Sequence, residues 1–356
     1  MNIIGGFSKG WERMAEARER PVSKSVVFMF SGQGSQYSQM GGELFHTNPA
    51  FRRWMVHLDG TVRKLAGRSI LPYLYDGQKG RADTFDPALY SSLSIFLVEY
   101  ALVQVLLEKG IKPDYLLGAS LGEYTAAAVA NVLPYEEVIA ILLKKAEIFE
   151  ACCPEGGMLA ILHDPALYRN VPLIRENSEL ASLNFPSHFV VAGWRRNLQI
   201  IQGYLREQVI SYLPLPVSYA FHSSLIEACA APYTQYLSLQ SYRPPSIPLI
   251  SCTRAGIVKE VRPDYLWEVI RQPILFQKTI EELEMVKECV YLDLGPSGTL
   301  ATFVKYNLAR DSASECLPIL TPFGQDARNL EQCEAYFRNK PSFPLPLFGK
   351  EGLGEI

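Results

Sequence analysis

The stretch DYLLGASLGEYTAAAVA, residues 114–130, constrains the fold of this chain more than any other. A short β-rich apolar run follows Pro113, breaks on Gly118 and Gly122, and passes at once into an alanine-rich helix. A strand that turns so sharply into a helix belongs to an α/β fold. Two other stretches support that reading. CVYLDLGPSGTLATFVKYNL (289–308) again reads as strand, glycine turn and helix. SVVFMFS (25–31) reads as a buried strand feeding the glycine-punctuated loop GQGSQYSQMGG. LYSSLSIFLVEYALVQVLLEKG (89–110) carries apolar residues at helical spacing and stops on a glycine.

From about residue 152 to 220 the texture changes. GGMLAIL, ELASLNF, HFVVAG and VISYLPL are short strand-like runs, with helical YRNVPLIRE and NLQIIQGYLREQ between or beside them. Strand-helix-strand-strand-helix-strand is the ferredoxin-like order, here read as a small domain inserted into a larger one. At 356 residues the chain has room for about two domains. The expected division is a leader at 1–24, a discontinuous large domain over 25–151 and 221–330, a ferredoxin-like subdomain over 152–220, and a Pro- and Gly-rich flexible tail over 331–356.

Composition removes whole classes of function. A net charge of −3 gives no reason to expect nucleic acid or an anionic membrane as partner. No apolar run is expected to reach the length of a membrane span, and the N-terminus lacks the apolar core of a secretory signal. Seven cysteines without regular spacing read as reduced thiols in a cytoplasmic protein, and five scattered histidines lack ligand spacing, so no metal is expected.

The pattern G-x-S-x-G occurs twice, as GASLG (118–122) and as GFSKG (6–10). A chain this long meets the pattern by chance about once in ten tries, so context decides. GFSKG has too few apolar residues before it for a core strand, and polar residues follow it. GASLG sits on a strand-to-helix turn, where small residues relieve the bend and the helix N-terminus offers N–H groups to an oxyanion. There Ser120 reads equally as a helix N-cap or as a nucleophile. A nucleophilic serine needs a base, and histidine is the natural one. His46 and His57 lie in polar helical or loop stretches, His163 opens a turn, and His188 alternates with apolar residues on a strand. His222, where the strand-like run LPLPVSYAFHS returns to the large domain, is the candidate.

FSGQGSQ, GASLGE, the VSYAFHS segment and DLGPSGTL, in this order and spacing, resemble the malonyl-CoA:acyl-carrier-protein transacylase family and the acyltransferases of polyketide synthases. The likeness covers roughly residues 25–325. It implies an α/β-hydrolase-like large domain with an inserted ferredoxin-like small domain. It also implies Ser120 as nucleophile, His222 as base, and the backbone N–H groups of Gln33 and Leu121 as the oxyanion hole. In the family an Asn side chain or a backbone carbonyl orients the histidine, and Asn184 and the carbonyl of Leu275 fall at the matching places. No cofactor is implied beyond the phosphopantetheine or CoA that carries the substrate acyl group.

Two departures bear on activity. Family transferases usually read G-H-S-x-G, whereas Ala119 precedes the serine here. An arginine normally follows the nucleophile by 25 residues and clamps the malonyl carboxylate; that position is Lys145, a point charge that cannot reproduce a planar two-bond fork. Lys145 or Lys144 reads equally as a solvated helix charge, and either way malonyl selectivity is weakened. Lys145, Ala119 and Phe221 are the expected substrate-binding residues. These departures resemble the stand-alone acyl-hydrolase branch, found beside polyketide synthases that lack built-in acyltransferases. That branch removes stalled acyl groups from carrier proteins. The expectation is therefore a monomeric, cytoplasmic proofreading hydrolase of acyl-carrier-protein thioesters. The alternative is a trans-acting acyltransferase loading malonyl or another acyl unit, and a third reading is a catalytically degenerate docking scaffold.

Overall fold

The computed structural model describes residues 24–75 and 88–338. The GFSKG match, nearly all of the expected leader and residues 339–356 of the expected tail lie outside them. Ten strands are found among the described residues: β1 (Ser25–Phe30), β2 (Tyr115–Gly118), β3 (Gly157–Ile161), β4 (Glu179–Phe185), β5 (His188–Gly193), β6 (Tyr212–Pro214), β7 (Leu249–Ser251), β8 (Gly256–Val258), β9 (Cys289–Asp293) and β10 (Glu315–Pro318). They form a six-stranded sheet, β10-β9-β1-β2-β7-β8, and a four-stranded sheet, β4-β5-β3-β6.

In the large sheet every pairing is parallel except β7 with β8. Its central strands are apolar throughout because both faces are covered. Along β1 the side chains alternate between two cores. Val26, Phe28 and Phe30 pack with residues of the helices Ala88–Glu108 and Gly122–Val129. Val27 and Met29 pack on the opposite face with Phe276, Ile280, Leu283, Leu300 and Val304. This is the expected α/β class.

The small sheet is antiparallel and lies in sequence between β2 and β7. Its strand order is that of the ferredoxin-like arrangement. One helix expected around YRNVPLIRE is two, Ala166–Asn170 and Pro172–Asn177. Pro172 has no N–H to continue a helix and instead opens the second one. A main-chain seam joins the two lobes: Ser182 bridges Ile274, Ile274 N–H donates to the Ala181 carbonyl, and Leu183 N–H donates to the Ile274 carbonyl.

Two expectations change. Within Ala88–Glu108, residues Tyr90–Glu108 are long and apolar enough to cross a membrane by length and composition, with mean hydropathy 1.6. However, 78% of that window is buried inside the fold, so the helix is apolar because it is central to the core. The helix Asp326–Arg338 runs on past residue 331, where a flexible tail was expected. Leu330 and Cys333 bury its inner face, and the Asp326 N–H donates to Glu43.

The turn after β2 is carved by missing side chains. A Cβ on Gly122 would lie 2.0 Å from the Phe30 carbonyl oxygen, and one on Gly118 would lie 2.5 Å from the Glu123 backbone. Gly122→Ala is expected to cost more than about 3 kcal/mol, because only main chain can yield. Gly60, inside the helix Pro49–Ala66, has open space around its missing Cβ. Gly60→Ala is expected to gain up to about 1 kcal/mol. Urea unfolding of the two variants checks both signs; a tolerated Gly122→Ala would refute this account of the turn.

Candidate active site

Ser120 stands at the bend between β2 and the helix Gly122–Val129. The Ala119 N–H still reaches the Phe30 carbonyl at 3.0 Å, whereas the Ser120 carbonyl already accepts from Glu123 N–H at 2.9 Å. One residue must therefore change direction. Ser120 does so with φ 55°, a left-handed conformation that costs a non-glycine residue about 1–3 kcal/mol. The glycines around it allow close packing. A Cβ on Gly32 would sit 2.9 Å from the Ser120 Cβ and 3.4 Å from the Leu121 nitrogen. The loop bearing Gln33 thus lies directly against the elbow. The Leu121 N–H has no protein acceptor among the described residues, and the Gln33 side chain donates to Ser91 Oγ at 3.1 Å.

The structure brings His222 to this serine. Its Nε2 lies 2.9 Å from Ser120 Oγ, and its Nδ1 lies 2.7 Å from the Gln272 carbonyl oxygen. A carbonyl only accepts, so Nδ1 carries the proton and Nε2 is left to accept from the serine hydroxyl. The segment expected as a strand is instead a tight turn, with His222 at φ 62°. Ser223 holds that turn by donating to the Ala220 carbonyl at 2.6 Å. The His222 N–H donates to the Ile270 carbonyl at 2.9 Å. Ile270 and Gln272 close the helix Pro263–Arg271, whose last carbonyls have no partners within the helix. Pro273 makes that end obligatory, because the residue before a proline is held extended; Gln272 has ψ 155°.

The histidine-orienting group is therefore the carbonyl of Gln272, not that of Leu275. Leu275 N–H donates to the Cys252 carbonyl, and the Leu275 carbonyl accepts from Thr279 N–H and Oγ1 as the next helix begins. Asn184 does not orient His222 either. Its amide faces His188 Nδ1 at 2.9 Å, and its Oδ1 accepts from Ser182. Ala119 packs into the core cluster with Val27, Met29 and Phe276, so the structure does not bear out its expected part in the substrate site.

Lys145 and Phe221 do come together. Lys145 is only 3% exposed, so it is not the solvated charge of its helix; that description fits Lys144, which pairs with Glu147. The Lys145 Nζ lies 5.5 Å from the Tyr124 ring centroid and 5.6 Å from that of Phe221. No carboxylate pairs with it among the described residues. Burial pulls its pKa down to about 8. Burial is also the largest cause holding His222 down at about 4; the Lys145 charge adds to it and the Gln272 carbonyl opposes it. The imidazole is therefore neutral at pH 7 and able to take a proton.

Sequence reasoning passed over two groups. Gln272 was visible only as the residue before a helix-ending proline. Glu123, the last letter of GASLGE, is 2% exposed and accepts from Ser251, Thr253 and Tyr265. It thereby ties the elbow helix to the helix whose end holds His222. No group of three or more His, Cys, Asp or Glu side chains among the described residues is arranged for a metal.

A sequence profile of the acyl transferase domain family matches residues 27–339. The polyketide biosynthesis acyltransferase homolog BaeD of Bacillus velezensis is 44% identical over 320 residues, covering 90% of this chain and 99% of that one. The polyketide biosynthesis acyltransferase homolog PksD of Bacillus subtilis is 44% identical over 317 residues, covering 89% and 98%. Among solved structures, the acyltransferase domain from the second module of the salinomycin polyketide synthase superposes with TM-score 0.78 at 24% identity, over 95% of this chain and 82% of that one. FabD from Acinetobacter baumannii does so with TM-score 0.76 at 22% identity, over 88% and 98%.

Lys145 is charged at a cost: a lysine whose pKa is lowered in the fold destabilises it below that pKa, and the penalty fades as pH rises through the unfolded value. Lys145→Met is accordingly expected to stabilise the protein at pH 7 by on the order of 3 kcal/mol. It should also move the His222 titration upward from about 4, since one cause of the depression is gone. Chemical unfolding and an NMR titration of the His222 ring check the two; an unchanged midpoint would show that the Lys145 charge does not reach the imidazole.

Proposed function

This chain belongs to the acyl transferase domain family, and from that premise we propose that it hydrolyses acyl thioesters of carrier proteins in polyketide biosynthesis. Ser120 Oγ attacks the thioester carbonyl while His222 Nε2 takes its proton. The Gln272 carbonyl holds the Nδ1–H throughout and favours the imidazolium that forms. The N–H groups of Gln33 and Leu121 receive the oxyanion. Collapse expels the pantetheine thiolate, which leaves as the thiol with the proton from His222. Water then attacks the acyl-serine with His222 again as base, and the acid departs. No resident cofactor takes part in these steps.

One observation carries the preference for water over a second carrier thiol. Where a guanidinium fork would hold a dicarboxylate, Lys145 presents a single ammonium between two aromatic faces. A point charge on a flexible stem neither selects malonyl by geometry nor seals the site around it. The transferase reading rests on a specific fact as well: a buried positive charge remains beside His222 and can attract a malonyl carboxylate. The same reading makes the protein a cytoplasmic partner of acyl carrier proteins.

Ser120→Ala should abolish acyl-enzyme formation. Mass spectrometry of the wild type with an acyl thioester should place the adduct on the Ser120 peptide, and an adduct elsewhere would overturn the assignment. Acetyl- and malonyl-carrier protein, each with and without a second holo-carrier, separate the two activities. We expect free acid, with acetyl processed at least as well as malonyl. Strong malonyl preference with passage to the second carrier would mean a transferase. Lys145→Arg should raise malonyl over acetyl in kcat/KM by roughly ten- to a hundredfold, the worth of a well-made charged hydrogen-bond pair.

A further inference from the structure

Glu99 lies near the middle of the core helix Ala88–Glu108 and is wholly buried. No cation pairs with it among the described residues. A carboxyl group at such a place is disfavoured by several kcal/mol unless its lone pairs are taken, and an apolar residue of similar size would fill the space without that cost. Its lone pairs are taken, and by telling partners. Oε1 accepts from Ser31 N–H at 2.7 Å and from Ser31 Oγ at 3.2 Å, and Oε2 accepts from Thr125 Oγ1 at 2.7 Å. Ser31 follows β1 directly and leads through Gly32 to Gln33. Thr125 stands one helical turn beyond Leu121, on the same face. Between them Gly32 lies against the Ser120 Cβ and the Leu121 nitrogen.

We infer that Glu99 is a positioning residue for the oxyanion hole: its carboxyl group ties the Gln33 loop to the helix begun by Leu121 and so sets the gap between the two N–H donors. The inference rests on the serine mechanism proposed above. Nothing else described joins these two segments through a side chain with a hydrogen bond at each end. Burial pushes the Glu99 pKa well above the carboxylate range, with Asp293 on the neighbouring strand adding to it. Protonation does not undo the tie: Oε1 still accepts from Ser31, and the protonated Oε2–H donates to a Thr125 hydroxyl turned to accept it. A glutamine has the same donor and acceptor arrangement; a leucine has neither.

The test is pre-steady-state acylation with an acyl thioester, in which burst amplitude counts working sites and burst rate measures each one. Folding is checked by circular dichroism. Glu99→Leu should keep its amplitude and its half-saturating substrate concentration while the rate at saturation falls about a hundredfold, since oxyanion donors act only in the transition state. Glu99→Gln should restore most of that loss. Thr125→Val cuts one end of the tie and should slow acylation about tenfold. A merely structural Glu99 predicts the reverse, a smaller amplitude with each remaining site at the wild-type rate, and that result would overturn the inference. If Glu99→Leu does not fold, Thr125→Val decides: a wild-type rate per site refutes the tie. Absence of any Ser120 adduct in the wild type would be a failure of the serine mechanism, and the inference would fall with it.

Discussion

The end of one short helix holds the Ser120–His222 pair in place. The helix Pro263–Arg271 leaves its last carbonyls unpaired, and His222 takes two of them, Ile270 with its main chain and Gln272 with its ring. The first fixes where the residue sits and the second fixes which ring nitrogen is bare. No carboxylate is needed for either. The partial negative charge of the helix end is enough to favour a transient imidazolium, and it leaves the resting imidazole neutral because burial outweighs it. A full carboxylate there would raise the histidine pKa and favour the imidazolium more strongly.

Around that pair the fold repeatedly accepts local cost. Ser120 and His222 both occupy left-handed backbone conformations. Among the described residues Lys145 is buried between rings without a counter-ion and Glu99 lies in the core without a cation, and burial raises Glu123 to about 7 and Asp293 to about 6. These carboxyl groups are satisfied by hydrogen bonds from hydroxyls and main-chain N–H groups; for Asp293 these come from Gly295 and Ala301. Such exceptions to burial rules gather at a site where geometry counts for more than stability.

What could be read from the residues follows from how local the signal is. The bend at GASLG was legible because glycines, a short apolar run and an alanine-rich helix are all contiguous. The order of elements from 152 to 220 was legible for the same reason. Pairing Ser120 with His222 needed elimination among five histidines, since 102 positions separate them. The orienting carbonyl was missed by three residues. Main-chain acceptors carry no side-chain signature, and Gln272 just before Pro273 and Leu275 two residues after it are equally silent. Asn184 was misassigned because a lone asparagine does not say which of two histidines it faces; here it is His188. Lys145 was ambiguous because its neighbour Lys144 is a surface charge on the same helix, and only the fold separates them.

The seam between the lobes bears on what must move during turnover. Ile274 is paired on both sides of its peptide with β4 of the small sheet, and it follows Gln272 across a single proline. The acceptor that sets the histidine tautomer is thus mechanically continuous with the outer strand of the small lobe. Rocking that lobe away to admit a substrate would drag the Gln272 carbonyl off the imidazole and disarm the base. The seam thus favours a site that keeps its shape, and on the proposed mechanism acyl groups would meet the side chains already standing beside His222, Lys145 and Phe221 among them.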